Sequence, residues 1–373
     1  MELFTPQDIE RAIKSGRTFI TNVTSISISP SDEYLSRRDL RTLAASILAN
    51  PQLTCLSILH VRRLDFIGWS ILMNALNQTN ITQLNITGVP LYNKGLSDLC
   101  RMLKSNKKII YLYLMHIRAN AYSELGDALS ENTTLKSIYI QMHGKREFNL
   151  GLEMIEQGLR RNSTLERFKV STVDVRAFEA ICSAFKSHPN IKELEFHRTH
   201  EPLSPECLVA LRSLLETNKS IVKLSLDSCM INQDSCAAIC EGFRRNSTIT
   251  ELLLDGNHLT DRACSVIAQL LRHNSSLKKL SLNRNQETAL NGMVEICKSL
   301  LENNTLDRLD LRGNSFDVNF YLALGRMIAK NTTLSSLEMM DEYFTFGELA
   351  FVTAELKTNC TLRTLVFNGV NDE

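Results

Sequence analysis

One template recurs thirteen times along the chain: Asn-x-x-Leu-x-x-Leu-x-Leu, opening at positions 20, 50, 78, 106, 132, 162, 188, 218, 246, 274, 303, 331 and 359. Successive copies follow at 26 to 30 residues, a period that marks a stacked-repeat architecture. Ten of the thirteen opening positions hold Asn; the others are Ile20, Gln78 and His188. The three later slots are apolar in every copy, as with Leu165, Phe168 and Val170, or Ile249, Leu252 and Leu254.

Each copy has two halves with different periods. The Leu-x-Leu core alternates, which predicts a strand with one buried face. The stretch that follows has helical spacing. In "TDRACSVIAQLLRHN", Ala263, Val266, Ile267, Leu270 and Leu271 form an apolar stripe, Thr260 is placed to cap, and Asp261 suits the positive end of the helix. "QDSCAAICEGFRRN" repeats the pattern with Cys236, Ile239, Cys240 and Phe243 inward. The Asn then falls just past the last helical turn. It is expected to adopt the left-handed backbone that ends many helices and to bond loose backbone groups there.

Twelve Asn-x-Ser/Thr tripeptides occur, which by themselves suggest a glycosylated surface protein. Eight of them, at Asn132, Asn162, Asn218, Asn246, Asn274, Asn303, Asn331 and Asn359, coincide with the repeat joint. A glycan there would project from a packed helix-to-strand turn, so these asparagines read as structural.

The first sixteen residues carry Asp8, Glu10 and Arg11 where a secretory signal would be apolar. They read as a short helix, with Thr5 capping, Pro6 at the first helical position and Gly16 ending it. The expected compartment is the cytoplasm, and the ten scattered cysteines, with no CxxC pair, read as free thiols. Lys plus Arg number 42 against 41 Asp plus Glu, which offers no electrostatic reason to expect nucleic acid or an anionic membrane. No apolar run approaches the roughly 20 residues of a membrane span.

"LLLDGNHLTDRACSVIAQLLRHNSSLKKLSLNRNQ" resembles the leucine-rich repeat, L-x-x-L-x-L-x-x-[NC]-x-L, and the period resembles the ribonuclease-inhibitor-like subclass found also in NOD-type receptors, tropomodulins and the Ran GTPase-activating protein. The signature Asn or Cys is present at Cys229, Asn257, Asn285 and Asn314, while Val61, Val89, Val173 and Thr199 hold the equivalent place elsewhere. The resemblance implies an α/β fold: a right-handed solenoid, or horseshoe, with about 13 parallel strands on a concave face and helices on the convex face. Strands stack at about 4.8 Å and helices need about 8–10 Å, so thirteen repeats span about 60 Å on one side and about 110 Å on the other. Residues 1–19 are expected to cap one continuous array, 20–373, because a single repeat cannot bury its own apolar face. The strand in "LRTLVFNGVNDE" leaves an edge where weak end-to-end self-association is conceivable in an otherwise monomeric protein.

Residues between the leucines point away from the core. On neighbouring strands these are Tyr111, Tyr113 and Met115, then Tyr139, Gln141 and Met142, then Arg167 and Lys169, then Glu193, Glu195 and His197. Aromatic anchors beside charged residues have interface composition, although tyrosine also suits exposed β-structure. His197 and His200 near two glutamates lack a third ligand and helical zinc spacing, so they read as solvated. No phosphate-binding loop, dinucleotide fingerprint or serine-hydrolase elbow occurs, and no cofactor is expected. The expectation is a non-enzymatic scaffold that grips a protein on its concave face. Regulation of an enzyme or small GTPase, by activation or inhibition, is the alternative that the resemblance implies, and a eukaryote-like effector of an intracellular bacterium is a further one.

Overall fold

In the computed structural model, residues 6–19, 22–115, 122–141, 151–285, 290–339 and 346–367 are described. The chain packs as two compact units, Met1–Thr172 and Val173–Glu373. The first contains strands β1 (Ser25–Ile28), β2 (Tyr34–Leu35), β3 (Cys55–Leu59), β4 (Arg63–Leu64), β5 (Gln83–Thr87), β6 (Tyr111–Met115), β7 (Ser137–Gln141) and β8 (Arg167–Val173). Its helices are α1 (Pro6–Ser15), α2 (Arg37–Ala49), α3 (Phe66–Leu76), α4 (Asn93–Ser105), α5 (Tyr122–Glu131) and α6 (Leu152–Arg161).

In the second unit α7 (Val175–Phe185), β9 (Glu193–Thr199), α8 (Pro205–Thr217), β10 (Lys223–Asp227), α9 (Gln233–Phe243), β11 (Glu251–Leu253) and α10 (Asp261–His273) come first. Then follow β12 (Lys279–Ser281), α11 (Leu290–Ser299), β13 (Arg308–Asp310), α12 (Val318–Lys330), β14 (Ser336–Glu338), α13 (Phe346–Leu356) and β15 (Thr364–Val366).

Strands pair in parallel in the order β1-β3-β5-β6-β7-β8 in the first unit and β9 to β15 consecutively in the second. Among the described residues these are thirteen repeat strands, one for each copy of the template. The short β2 and β4 pair separately. A parallel pair needs a crossover between its strands, and within each unit the crossover helices stack one on the next, α2 on α3 and α10 on α11 among them. The fold is α/β, a repeat solenoid, as the two-period pattern predicts.

The leucine slots are the core. Leu56, Leu84, Leu112 and Ile138 are at most 1% exposed, and so are Leu194, Leu224, Leu252, Leu280, Leu309 and Leu337. Burying each such side chain stabilises by about 1.5–3 kcal/mol, and each has neighbours only because the flanking repeats supply them. Trp69 belongs to this core, with its indole N–H donating to the Gly95 carbonyl at 3.0 Å. The α10 stripe is buried as predicted except at Val266, which is half-buried together with Cys240, whose thiol donates to the Val266 carbonyl at 3.4 Å. Thr260 caps α10 by accepting from the Ala263 N–H.

The recurring asparagine departs from expectation. It is not left-handed: Asn106, Asn162, Asn218 and Asn331 are extended, with φ between −74° and −65° and ψ between 131° and 138°. What the position uses is the side chain. The Asn162 amide donates to Leu129 O (2.7 Å) and Asn132 O (3.3 Å), both in the preceding repeat. Its carbonyl oxygen accepts from the N–H groups of Thr164 and Leu165, which open the next strand. Asn218, Asn246, Asn303 and Asn331 repeat the arrangement. At His188 the imidazole Nδ1 takes the place of the amide oxygen, accepting from Asn190 and Ile191. The left-handed position lies instead just past the strand, at His60, Gly88, Ser228, Gly256, Arg284 and Gly313.

The N-terminal helix α1 ends where Gly16 turns left-handed at φ +74°. It is fastened by Lys14, whose ammonium donates to Asp32 (2.9 Å), the Tyr34 carbonyl (2.7 Å) and Asp39 (3.2 Å). Thr5, expected to cap it, lies outside the described residues.

Candidate protein-binding face

The period-2 pattern of the strands sets the site. β5, β6 and β7 all alternate half-buried and buried residues, so Tyr111, Tyr113, Met115, Tyr139 and Gln141 stand on the outward side of the first unit's sheet. Parallel register aligns these residues in rows. Tyr113 pairs with Asn85 on one side and Tyr139 on the other, and Tyr139 pairs with Lys169. A second row runs Gln83, Tyr111, Ser137, Arg167. The backbone positions of Tyr113 and Tyr139 therefore stand one strand spacing apart, about 4.8 Å.

Two contacts fix Tyr139. Its hydroxyl lies 3.3 Å from Ser171 Oγ, and the Lys169 ammonium sits 5.1 Å from its ring centroid. A cation over an aromatic face is worth about 0.5–1 kcal/mol at an exposed site. Both contacts bias the two groups toward one geometry, which lowers the ordering cost of a further contact. Arg167 is exposed at the same margin. Met142 lies outside the described residues.

Glu193, Glu195 and His197 lie on β9 in the second unit, with the glutamates half-buried and the histidine exposed. Glu195 forms an ion pair with Lys223 on the neighbouring strand. Burial pushes the Lys223 ammonium down, yet the hydrogen bond and charge of Glu195 together hold its pKa above the ordinary value. The outward side of this unit is laced with such pairs: Lys279 with Glu251 at 4.0 Å, and Arg312 with Asp310 at 2.6 Å and with Glu338 at 3.2 Å. Asp255 is pushed above the usual carboxylate range by burial, against the opposing hydrogen bond from Ser281 at 2.5 Å. Among the described residues no three His, Cys, Asp or Glu side chains converge as a metal would require. No described helix is long and apolar enough to cross a membrane.

The rows extend beyond the residues singled out from sequence. Ser57 aligns with Asn85, and Cys55 with Gln83, which carries the tyrosine rows onto β3. The signal was present in the repeat itself, since residues two positions apart in one copy recur in the next.

The repeats of α9 to β12 carry a second ladder. The Asn257 amide donates to Leu226 O at 2.9 Å while its oxygen accepts from Cys229 and Ile231, and Asn285 and Asn314 continue the series. The fold is that of a leucine-rich-repeat solenoid. A chain from the crystal structure of the Rad7 and Elc1 complex in yeast is similar to it, at 15% identity and a TM-score of 0.51, covering 89% of this chain and 79% of that one. The actin-binding site 2 of leiomodin-1 aligns at 20% identity and a TM-score of 0.33, over 40% of this chain and 86% of that one. No family model matches the chain. No curated protein matches it either.

Proposed function

We propose that the protein is a non-enzymatic binding scaffold of the ribonuclease-inhibitor-like subclass, one continuous array that holds a partner protein on its strand face. The contact would centre on Tyr111, Tyr113 and Tyr139, with Arg167 and Lys169 beside them. The reading rests on one observation: three tyrosines on adjacent strands are aligned by register, with Lys169 held over the Tyr139 ring. Large amphipathic side chains with few rotatable bonds are the commonest anchors of protein interfaces. A packed repeat array presents them already ordered, which reduces the entropy lost on association. The cytoplasm is the compartment proposed with it, since buried free thiols suit a reducing environment.

The test is affinity capture from cytosol, followed by titration of the captured partner against the unaltered chain and against Tyr113→Ala/Tyr139→Ala. The double substitution is expected to weaken binding while leaving the thermal transition in place. Equal affinities for two folded proteins would remove these tyrosines from the interface.

A further inference from the structure

The outward positions of β1, β3, β5, β6 and β7 carry no formal charge at all. With 22% of the chain charged, roughly one such position in five would be. Serines stand on the first strand, Ser57 with Cys55 and Leu59 on the second, Thr87 beside the amides of Gln83 and Asn85 on the third, and tyrosines mixed with Met115, Ser137 and Gln141 on the last two. The outward side of β9 to β14 differs, carrying Lys–Glu and Arg–Asp pairs among its serines. The neutral face is therefore a property of this part of the sheet and not of the repeat.

Interface centres are depleted in charge and enriched in Tyr and Met, whereas rims are polar. Five strands at about 4.8 Å and five residues at about 3.3 Å give a neutral area of about 20 Å by 17 Å, roughly 350 Å². That is under half of the roughly 800 Å² each side of a stable complex buries, so it is the size of a centre that leaves room for a rim. A charged side chain pressed against its middle, on β3, β5 and β6, would lose its water and gain no counter-charge from these strands, at an effective cost of several kcal/mol, since Lys169 and Arg167 stand only at the β7 margin. Hydroxyls and amides offer it only neutral hydrogen bonds.

We propose that this face takes a protein surface that is itself free of Lys, Arg, Asp and Glu at its centre, and that it rejects charged surfaces by leaving them unpaired. The proposal rests on the binding reading above and adds the chemistry of the partner. It is tested with the full chain and a phage-displayed library of small helical domains with randomised surfaces. Clones are kept when they bind the unaltered chain but not a folded Tyr113→Ser/Tyr139→Ser variant, or Asn85→Lys should the first fail to fold. Expected is at least an approximately twofold depletion of the four charged residue types in these clones, with affinities that change less than about twofold between roughly 50 and 500 mM NaCl. Smaller depletion, or a larger salt response, overturns the neutral-partner inference and leaves the binding reading standing. If no clone depends on these residues, both fall.

Discussion

The side-chain amide of Asn162 donates to the carbonyl of Leu129 at 2.7 Å, thirty-three residues earlier in the chain, and is 2% exposed. One side chain thus ties the end of a helix in one repeat to the strand opening of the next. Asn106, Asn132, Asn218, Asn246, Asn303, Asn331 and Asn359 reuse the device.

Replacing such a joint residue should therefore cost more than a local turn would. Asn218→Ala removes two amide bonds to the previous repeat and leaves the N–H groups of Ser220 and Ile221 without their acceptor in a buried site. A loss of about 2–4 kcal/mol is expected, against about 1 kcal/mol for Asn274→Ala. The Asn274 oxygen also accepts from the N–H groups of Ser276 and Leu277, but Asn274 is half-buried and its amide donates locally, to Ser276 Oγ at 3.2 Å, in place of the bonds to the previous repeat. Urea denaturation of the two variants compares them directly.

Lys14 gives the N-terminal helix a pH dependence. Its bonds to Asp32 and Asp39 hold its pKa above the usual lysine value, although burial, the largest influence, acts the other way. The hydrogen bond from Lys14 is the largest influence holding Asp32 below the carboxylate range. A raised ammonium pKa contributes stability that is complete below the ordinary lysine value and lost as pH rises through the folded one. The depressed carboxylate contributes above its ordinary value and loses that contribution as pH falls through the folded one. The attachment of α1 should thus be strongest between about pH 4 and 10. In Lys14→Met, the protection of α1 amides relative to their intrinsic exchange rates should fall within that window, and the losses of protection that the unaltered chain shows below about pH 4 and above about pH 10 should largely vanish.

Thiol reactivity should follow burial. Cys264 and Cys297 are buried, and burial pushes both up to about 12, while Cys360 is exposed. In native protein at neutral pH, an alkylating reagent should label Cys360 first and leave Cys264 and Cys297 unlabelled until denaturant is added. Mass spectrometry of peptides from a time course reads the order.

Glycine at the α5–α6 crossing is a packing requirement. A Cβ on Gly126 would fall 2.1 Å from the Met154 carbonyl oxygen, and one on Gly158 2.1 Å from that of Gly126. Either alanine substitution must part the helices, and a loss of about 2–4 kcal/mol in stability is expected by calorimetry.

Much of this was legible in sequence because the repeat converts position into environment. The alternating slots located every repeat strand, though not the short β2 and β4, and assigned Leu112 and Leu114 to the core and Tyr111 and Tyr113 to the outward side. Thr260 was legible as a cap because capping is local. The asparagine was misread for the converse reason: the acceptors of its amide lie 28 to 33 residues away, and a local rule about helix ends placed it in a left-handed backbone that the structure puts at His60, Gly88 and Ser228 instead. The pairing of Glu195 with Lys223, and the use of His188 in place of Asn, likewise depend on which residue stands across from which. Register supplies that, and composition does not.

The most direct measurement is the calorimetric affinity of the captured partner for the unaltered chain and for Tyr113→Ala/Tyr139→Ala, both shown to be folded. Loss of two central anchors should weaken the complex by about tenfold or more. An affinity within about twofold of the original would contradict a partner seated on this face.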